Sequence, residues 1–425
     1  RHGHSIMVPL GFSSPNYQHC AEVGFLGKID QRRELREDMG ATYNISHDVL
    51  MWVYRKTQSS SVTLKSTQIV EAWIEGSKTP TFSQIEFVSN ETRIPLGFFF
   101  LNSPPDEDIP LLQFRTIKNE RYAEPSRNLI DTIHDMEMII DWTRNSLIDN
   151  RSDPNNIVGS QKKTRNPLTI ADYIREALCL DIDWFMNSSK AEESFRIIRD
   201  RIENAGVLVM QNGTARNNAR RPLDVEEFRA FTIIDEYAPL IFINAADSPN
   251  ARLFSLFHEF AHVCLGVNSL YNENNDESGS ANNELETLCN AVAADLLVPD
   301  ALFKERWESY KTLCSNDEEV VARMAGYFKC SQVVIARKSC DLHFISKDEY
   351  RIIVDTAKEQ YLTAQRKKNG LGGNYYATMI SRIDRRFFGM LMESVIQGKT
   401  QYTEACKLTY TNRVTFSKLA ERMAI

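Results

Sequence analysis

From Leu253 to Leu265 nearly every position is apolar, broken only by Ser255, His258, Glu259 and His262. The run is long enough for a helix and apolar on almost all sides, which predicts a helix buried in a core rather than lying on a surface. A second buried helix is predicted downstream, where Leu285, Leu288, Val292 and Leu296 recur at helical spacing until Pro299 stops them. Upstream, 169–182 and 191–205 have helical periodicity, whereas 207–210, 228–234 and 240–244 are short apolar runs of strand character. Helices packed on a small sheet make this part an α+β unit in a mainly helical chain.

The flanking segments are helical by the same criterion. Residues 44–115 form a small module: 49–54 and 69–74 have helical spacing, Gly76-Ser-Lys-Thr-Pro80 supplies a turn, and 82–88 resumes a helix. Residues 116–165 hold a helix around Leu129 to Ile140, then a polar stretch from Asp149 to Asn166 that reads as a linker. Beyond Pro299, Val320 to Arg337 has the pattern of a helix, a turn and a helix; 352–368 is helical, 369–374 is a glycine-bearing loop, and 375–425 is mostly helical. The expected divisions are therefore an extension at 1–43, the helical module at 44–115, a helix and linker at 116–165, the α+β domain at 166–345 and a helical region at 346–425. The opening Arg-His-Gly-His-Ser reads as a cloning remnant, so His2 and His4 are set aside.

Composition narrows the functional classes. With 42% hydrophobic and 25% charged residues the chain is ordinary for globular protein, and no apolar run reaches the roughly 18 residues needed to span a bilayer. A net charge of −7 argues against nucleic-acid binding through bulk electrostatics, although Arg216 to Arg221 and Arg382 to Arg386 each hold three arginines. The eight cysteines include no Cys-x-x-Cys pair, which suits reduced thiols and a cytoplasmic location. Cys264 and Cys289 fall on the two buried helices, where packing is the expected role.

The candidate chemistry lies in His258-Glu259-Phe260-Ala261-His262. Residues four apart share one helix face, so both imidazoles can serve one metal ion, with Glu259 beside it as general base. Without such an ion, three ionisable groups on a buried helix would each cost several kcal/mol on the rough scale for buried polar groups. Catalytic zinc takes three protein ligands, and the second buried helix offers a third in Glu286, with Glu284 as its rival half a turn away. Asn290 shares the Glu286 face and is a candidate partner for the ligands. Glu273, Asp276 and Glu277, in the polar segment 268–283 that reads as an exposed loop, are expected to be solvated.

His258-Glu-x-x-His262 followed by Glu286-x-x-Cys-Asn-x-Val-Ala-Ala-x-Leu-Leu-Val-Pro299 resembles the ImmA/IrrE metallo-endopeptidases, and Arg221 to Phe231 and Ala238 to Asn244 resemble the strands that precede the metal helix in that family. The resemblance implies a zincin-like peptidase domain, with His258, His262 and Glu286 as metal ligands and Glu259 as the catalytic glutamate. It implies zinc, with manganese as the alternative ion, and a protein substrate: a transcriptional repressor or co-encoded regulator. Glu71 to Ile85, Ile94 to Phe100 and Ser103 to Pro105 resemble an Xre-type helix-turn-helix module, although the segment between Trp52 and Trp73 is short and lacks the usual glycine turn. A recognition helix needs donors for base edges and phosphates, and Lys65, Ser66, Thr67 and Gln68 are the candidates. A DNA-binding regulator or antitoxin-like protein with a non-catalytic metal site is thus the alternative to a peptidase.

Overall fold

A computed structural model describes residues 42–57, 63–105, 111, 125–271, 281–368 and 374–423. His2, His4, residues 58–62, Glu273, Asp276, Glu277 and the loop at 369–373 lie outside the described residues. The chain divides into two compact units, Arg1–Asp108 and Ile109–Ile425. Sixteen helices and one four-stranded mixed sheet occur among the described residues.

The first unit contains α1 (His47–Thr57), α2 (Leu64–Ile74) and α3 (Phe82–Thr92), followed by a 3-10 turn at Leu96–Phe100. Val49, Val53, Val70, Trp73, Ile85, Val88 and Phe99 form its core. Gln84 Oε1 accepts from the Thr81 backbone N–H, closing the start of α3, and Arg93 ends it in a left-handed conformation.

The second unit runs α4 (Arg127–Asp149), α5 (Pro167–Ala177), α6 (Ala191–Asn204), β1 (Leu208–Asn212), β2 (Ala230–Ile233), β3 (Leu240–Asn244), α7 (Pro249–Leu265), β4 (Ser269–Tyr271) and α8 (Ala281–Leu297). It continues with α9 (Asp300–Lys311), α10 (Asp317–Phe328), α11 (Gln332–Asp341), α12 (Lys347–Lys368), α13 (Tyr375–Arg382), α14 (Arg385–Ile396), α15 (Tyr402–Leu408) and α16 (Arg413–Arg422). The strand order is β1-β3-β2-β4; β1 pairs with β3 in parallel, and β2 is antiparallel to both β3 and β4. Side chains alternate between the sheet faces, and both faces are buried. Val209, Ala230, Ile241 and Ile243 share a core with α7 and α8, whereas Leu208, Met210, Phe231, Leu240, Phe242 and Leu270 share another with α4 and α13 to α16.

Helix α7 has defined ends. Ser248 caps its first turn by accepting from Ala251 N–H, Pro249 sits at the first helical position, and Gly266 closes it at φ +70°. Gly266 is required twice over: its backbone is left-handed, and an added Cβ would come within 3.0 Å of Gly159 Cα. Gly159 is there because Gly159 N–H and Gln161 N–H donate to the terminal α7 carbonyls of Val263 and Cys264. The polar stretch 149–166 is therefore packed against the core at this point rather than acting as a free linker, with Ile157 buried.

Two further expectations change. Part of the segment read as an exposed loop is the buried strand β4, which lengthens the sheet once Asn268 Oδ1 accepts from Ile234 N–H. The helix beginning near Thr169 ends at Ala177, and Cys179 adopts φ +50°.

A buried ionic cluster ties α6 and β1 to the start of α14. Arg199 donates to Glu203, Val209 O and Ile383 O, while Asp384 caps α14 through Phe387 N–H and accepts Val209 N–H. Glu203 is pushed up to about 7, by burial first and then by the charge of Asp384, against the pull of Arg199. A carboxyl raised above its unfolded value of about 4.3 favours the fold fully below that pH, and the contribution is lost as pH rises through 7. The urea midpoint of the wild type should therefore fall between about pH 5 and pH 8, and Glu203→Gln should remove on the order of 2–3 kcal/mol of that pH dependence. Equal slopes in wild type and variant would contradict this.

Candidate metal centre

His258 and His262 lie one turn apart on α7, and both are fully buried. Their Nε2 atoms approach to 3.2 Å. Helix α8 runs alongside and supplies Glu286, whose carboxylate oxygens lie 3.1 Å from His258 Nε2 and 3.4 Å from His262 Nε2. The position of α8 is fixed by Arg175 on α5, which pairs with Asp295 at 2.7 Å, and by the Trp184 indole, which donates to Leu296 O at 3.0 Å. Glu286 retains 18% side-chain exposure, whereas both histidine side chains are fully buried.

These separations fit a metal. A tetrahedron with bonds of about 2.0–2.1 Å has edges of about 3.3–3.4 Å; the two Nε2 atoms stand 3.2 Å apart, each lies 3.1–3.4 Å from a different oxygen of Glu286, and one ligand atom from each residue lies within 4.8 Å of the other two. Two nitrogens facing each other across 3.2 Å share at most one proton. The cluster is thus an incomplete polar set that one cation completes. Burial works against ionised Glu286, but hydrogen bonds from His258 and His262 outweigh it and hold the carboxyl well below its usual range.

Glu259, between the two histidines in sequence, is fully buried. Burial raises its pKa, opposed by His258, His262 and the Thr232 hydroxyl. Thr232 on β2 donates to Oε2 at 2.6 Å, and Oε1 has no hydrogen-bond partner. Glu284, the rival ligand, is exposed and stands outside the cluster. Asn290 lies one turn beyond Glu286 with its Oδ1 buried and unbonded. Cys289 lies beside His262, and burial raises both its thiol and that of Cys264.

Two neighbours of the cluster lie outside the His-Glu-x-x-His motif and its partner helix. One is Thr232; the other is Tyr271 on β4, whose ring centroid is 4.1 Å from that of His258 at 35°. A hydroxyl inside the apolar run Phe231-Thr-Ile233 was the available signal for the first. Nothing in the sequence separates Tyr271 from the polar segment that follows it.

In the first unit, Lys65, Ser66, Thr67 and Gln68 occupy the start of α2. Ser66 is buried, Thr67 donates to Thr57 O at 3.3 Å and Lys65 lies over the Phe87 ring, while Gln68 is exposed.

A buried His-Glu-x-x-His helix with a glutamate from the next helix, set against a small mixed sheet, is the arrangement of a metallopeptidase domain. Residues 202–339 match the peptidase-family model described as the IrrE N-terminal-like domain, which supports a metallopeptidase of the ImmA/IrrE type. The chain is 35% identical over 74 residues to the radiation response metalloprotease IrrE of Deinococcus radiodurans, a match covering 17% of this chain and 23% of that protein. Residues 383–422, which span α14 to α16, match the model of a domain of unknown function. No solved structure matches the chain.

The purified full chain should bind one divalent metal ion, and His262→Ala and the near-isosteric Glu286→Gln should each lower metal content at least about tenfold on the scale of lost ligands. Metal analysis of the three proteins checks this. Retention of a full equivalent by both variants would move the metal elsewhere.

Proposed function

We propose that the chain is a zinc-dependent endopeptidase in which His258, His262 and Glu286 hold the ion and Glu259 is the general base. One observation carries the proposal: Glu259 Oε1 is a buried carboxylate oxygen without a partner, beside the cluster of His258, His262 and Glu286. A structural zinc site takes four protein ligands and has no use for a further carboxylate. The nitrogen-rich donor set favours zinc over manganese, which prefers more oxygen ligands. Asn290, with its unbonded buried Oδ1, is the proposed second-layer partner of the ligands.

When bound, the ion supplies Lewis acidity, polarising a carbonyl and making water nucleophilic at neutral pH. The protein's own part is proton handling: Glu259 Oε1 takes a proton from the attacking water and returns it to the leaving nitrogen. Burial, which raises the pKa of Glu259, brings it towards the range where a carboxylate can perform both transfers.

The proposed substrate is a repressor-like regulatory protein, an extension of the family-model match at residues 202–339 and of the likeness to a radiation response metalloprotease. The proposed compartment is the cytoplasm. It is supported by seven described cysteines that are all free thiols; in addition, no described helix is long and apolar enough to cross a membrane. The alternative, a DNA-binding regulator or antitoxin-like protein with a non-catalytic metal site, has less support, since Gln68 is the one residue of the four candidates that is exposed and without a described contact.

Expression of wild type and Glu259→Gln in cells, followed by mass spectrometry of new protein termini, tests the reading. Wild type should truncate a regulator that the variant leaves intact, with cleavage by the variant slower by at least about 10²-fold. Identical terminus profiles, together with zinc-loaded wild type that cuts no peptide in vitro, would rule it out.

A further inference from the structure

We propose that Thr232 is the positioning residue for the general base, a role that rests on the peptidase reading above. Its hydroxyl holds Glu259 Oε2 and so leaves Oε1 as the proton-accepting atom.

The case begins with the strand. Along β2, Phe231 and Ile233 pack on the face towards α4, while Ala230 and Thr232 face α7. Thr232 is fully buried, and its cross-strand partner on β3 is Ile241, also buried. Valine has the same shape as threonine, suits a strand at least as well and would fit this apolar face without a polar atom to satisfy. An unbonded hydroxyl here would cost about 1–3 kcal/mol. The threonine is explained by its partners, both on Glu259: Oε2 at 2.6 Å and the backbone O at 3.3 Å.

The hydroxyl carries one proton, and the shorter contact to the carboxylate has the length of a charge-assisted bond. Thr232 is the only described residue bonded to the Glu259 carboxylate, since Oε1 has no partner. Without Thr232 neither carboxylate oxygen would have a described hydrogen-bond partner. The proton balance is simple. The Thr232 proton stays on its oxygen throughout; the proton from water enters at Oε1 and leaves with the departing amine. Thr232 touches neither substrate nor metal ligand in this scheme and acts through Glu259 alone.

The test uses the zinc-loaded full chain with Thr232→Val and Thr232→Ser, and with Glu259→Gln as the zero. The probe is a peptide mixture from digested cell protein, with one cleaved peptide resynthesised as a fluorogenic substrate. Thr232→Val should lower kcat about 10- to 100-fold, keep KM within about twofold and leave zinc content unchanged, while Thr232→Ser should recover kcat to within about threefold of wild type. Unchanged kcat in Thr232→Val, or a Thr232→Ser as slow as Thr232→Val, would overturn the proposal. Crystal structures of the metal-free proteins give a second readout: the Glu259 carboxylate should be displaced in Thr232→Val and retained in Thr232→Ser. An unmoved Glu259 in Thr232→Val would overturn the assignment whether or not turnover is measurable. Wild type that cuts no peptide would instead count against the peptidase reading itself, leaving the crystallographic comparison to decide the role of Thr232.

Discussion

Four ionisable side chains, His258, Glu259, His262 and Glu286, occupy one place between α7, α8 and the sheet, and three of them are fully buried. That concentration of polarity in an apolar core is the constraint around which the second unit is organised. Each group alone would be costly, but His258, His262 and Glu286 bring one ligand atom each to within 4.8 Å of one another, close enough to share one ion. The surroundings keep them converged. Gly266 and the packed turn at Gly159 finish α7 where the sheet needs it to end, and Arg175 and Trp184 anchor α8.

The sheet links this centre to the rest of the chain. Its α7 face packs on the metal helices, while its other face is covered by α4, which precedes the domain in sequence, and by α13 to α16, which follow it. Residues 383–422, matched to a domain of unknown function, therefore share a core with the strands that carry Thr232. The cluster of Arg199, Glu203 and Asp384 fixes that junction through backbone atoms of β1. It also makes the junction sensitive to pH near neutrality, because Glu203 is raised to about 7.

Much of this was legible in the sequence, for identifiable reasons. The two metal helices announce themselves because burial on all sides leaves Leu253 to Leu265 almost without polar residues, so the three ionisable groups stand out. Glu286 could be singled out from Glu284 only as a preference; in the structure the choice follows from helix phase, which sends Glu284 outwards. Strand β4 was not legible, since three residues at the head of a polar segment carry too little pattern, and its pairing with β2 is a long-range event. The packed turn around Ile157 was hidden for the opposite reason: its bonds to α7 are made by backbone N–H groups, which composition does not report. Thr232 and Tyr271 become visible only once the strands are placed against α7.

The central claim is that three ligands hold one ion and leave a position open for water. Anomalous diffraction from crystals of the full chain, collected on either side of the zinc edge, tests it most directly. The account predicts a single peak about 2.0–2.1 Å from His258 Nε2, His262 Nε2 and a Glu286 oxygen, with a water as the fourth neighbour. A peak closed by a fourth protein ligand such as Cys289, or a peak away from these three atoms, would contradict it.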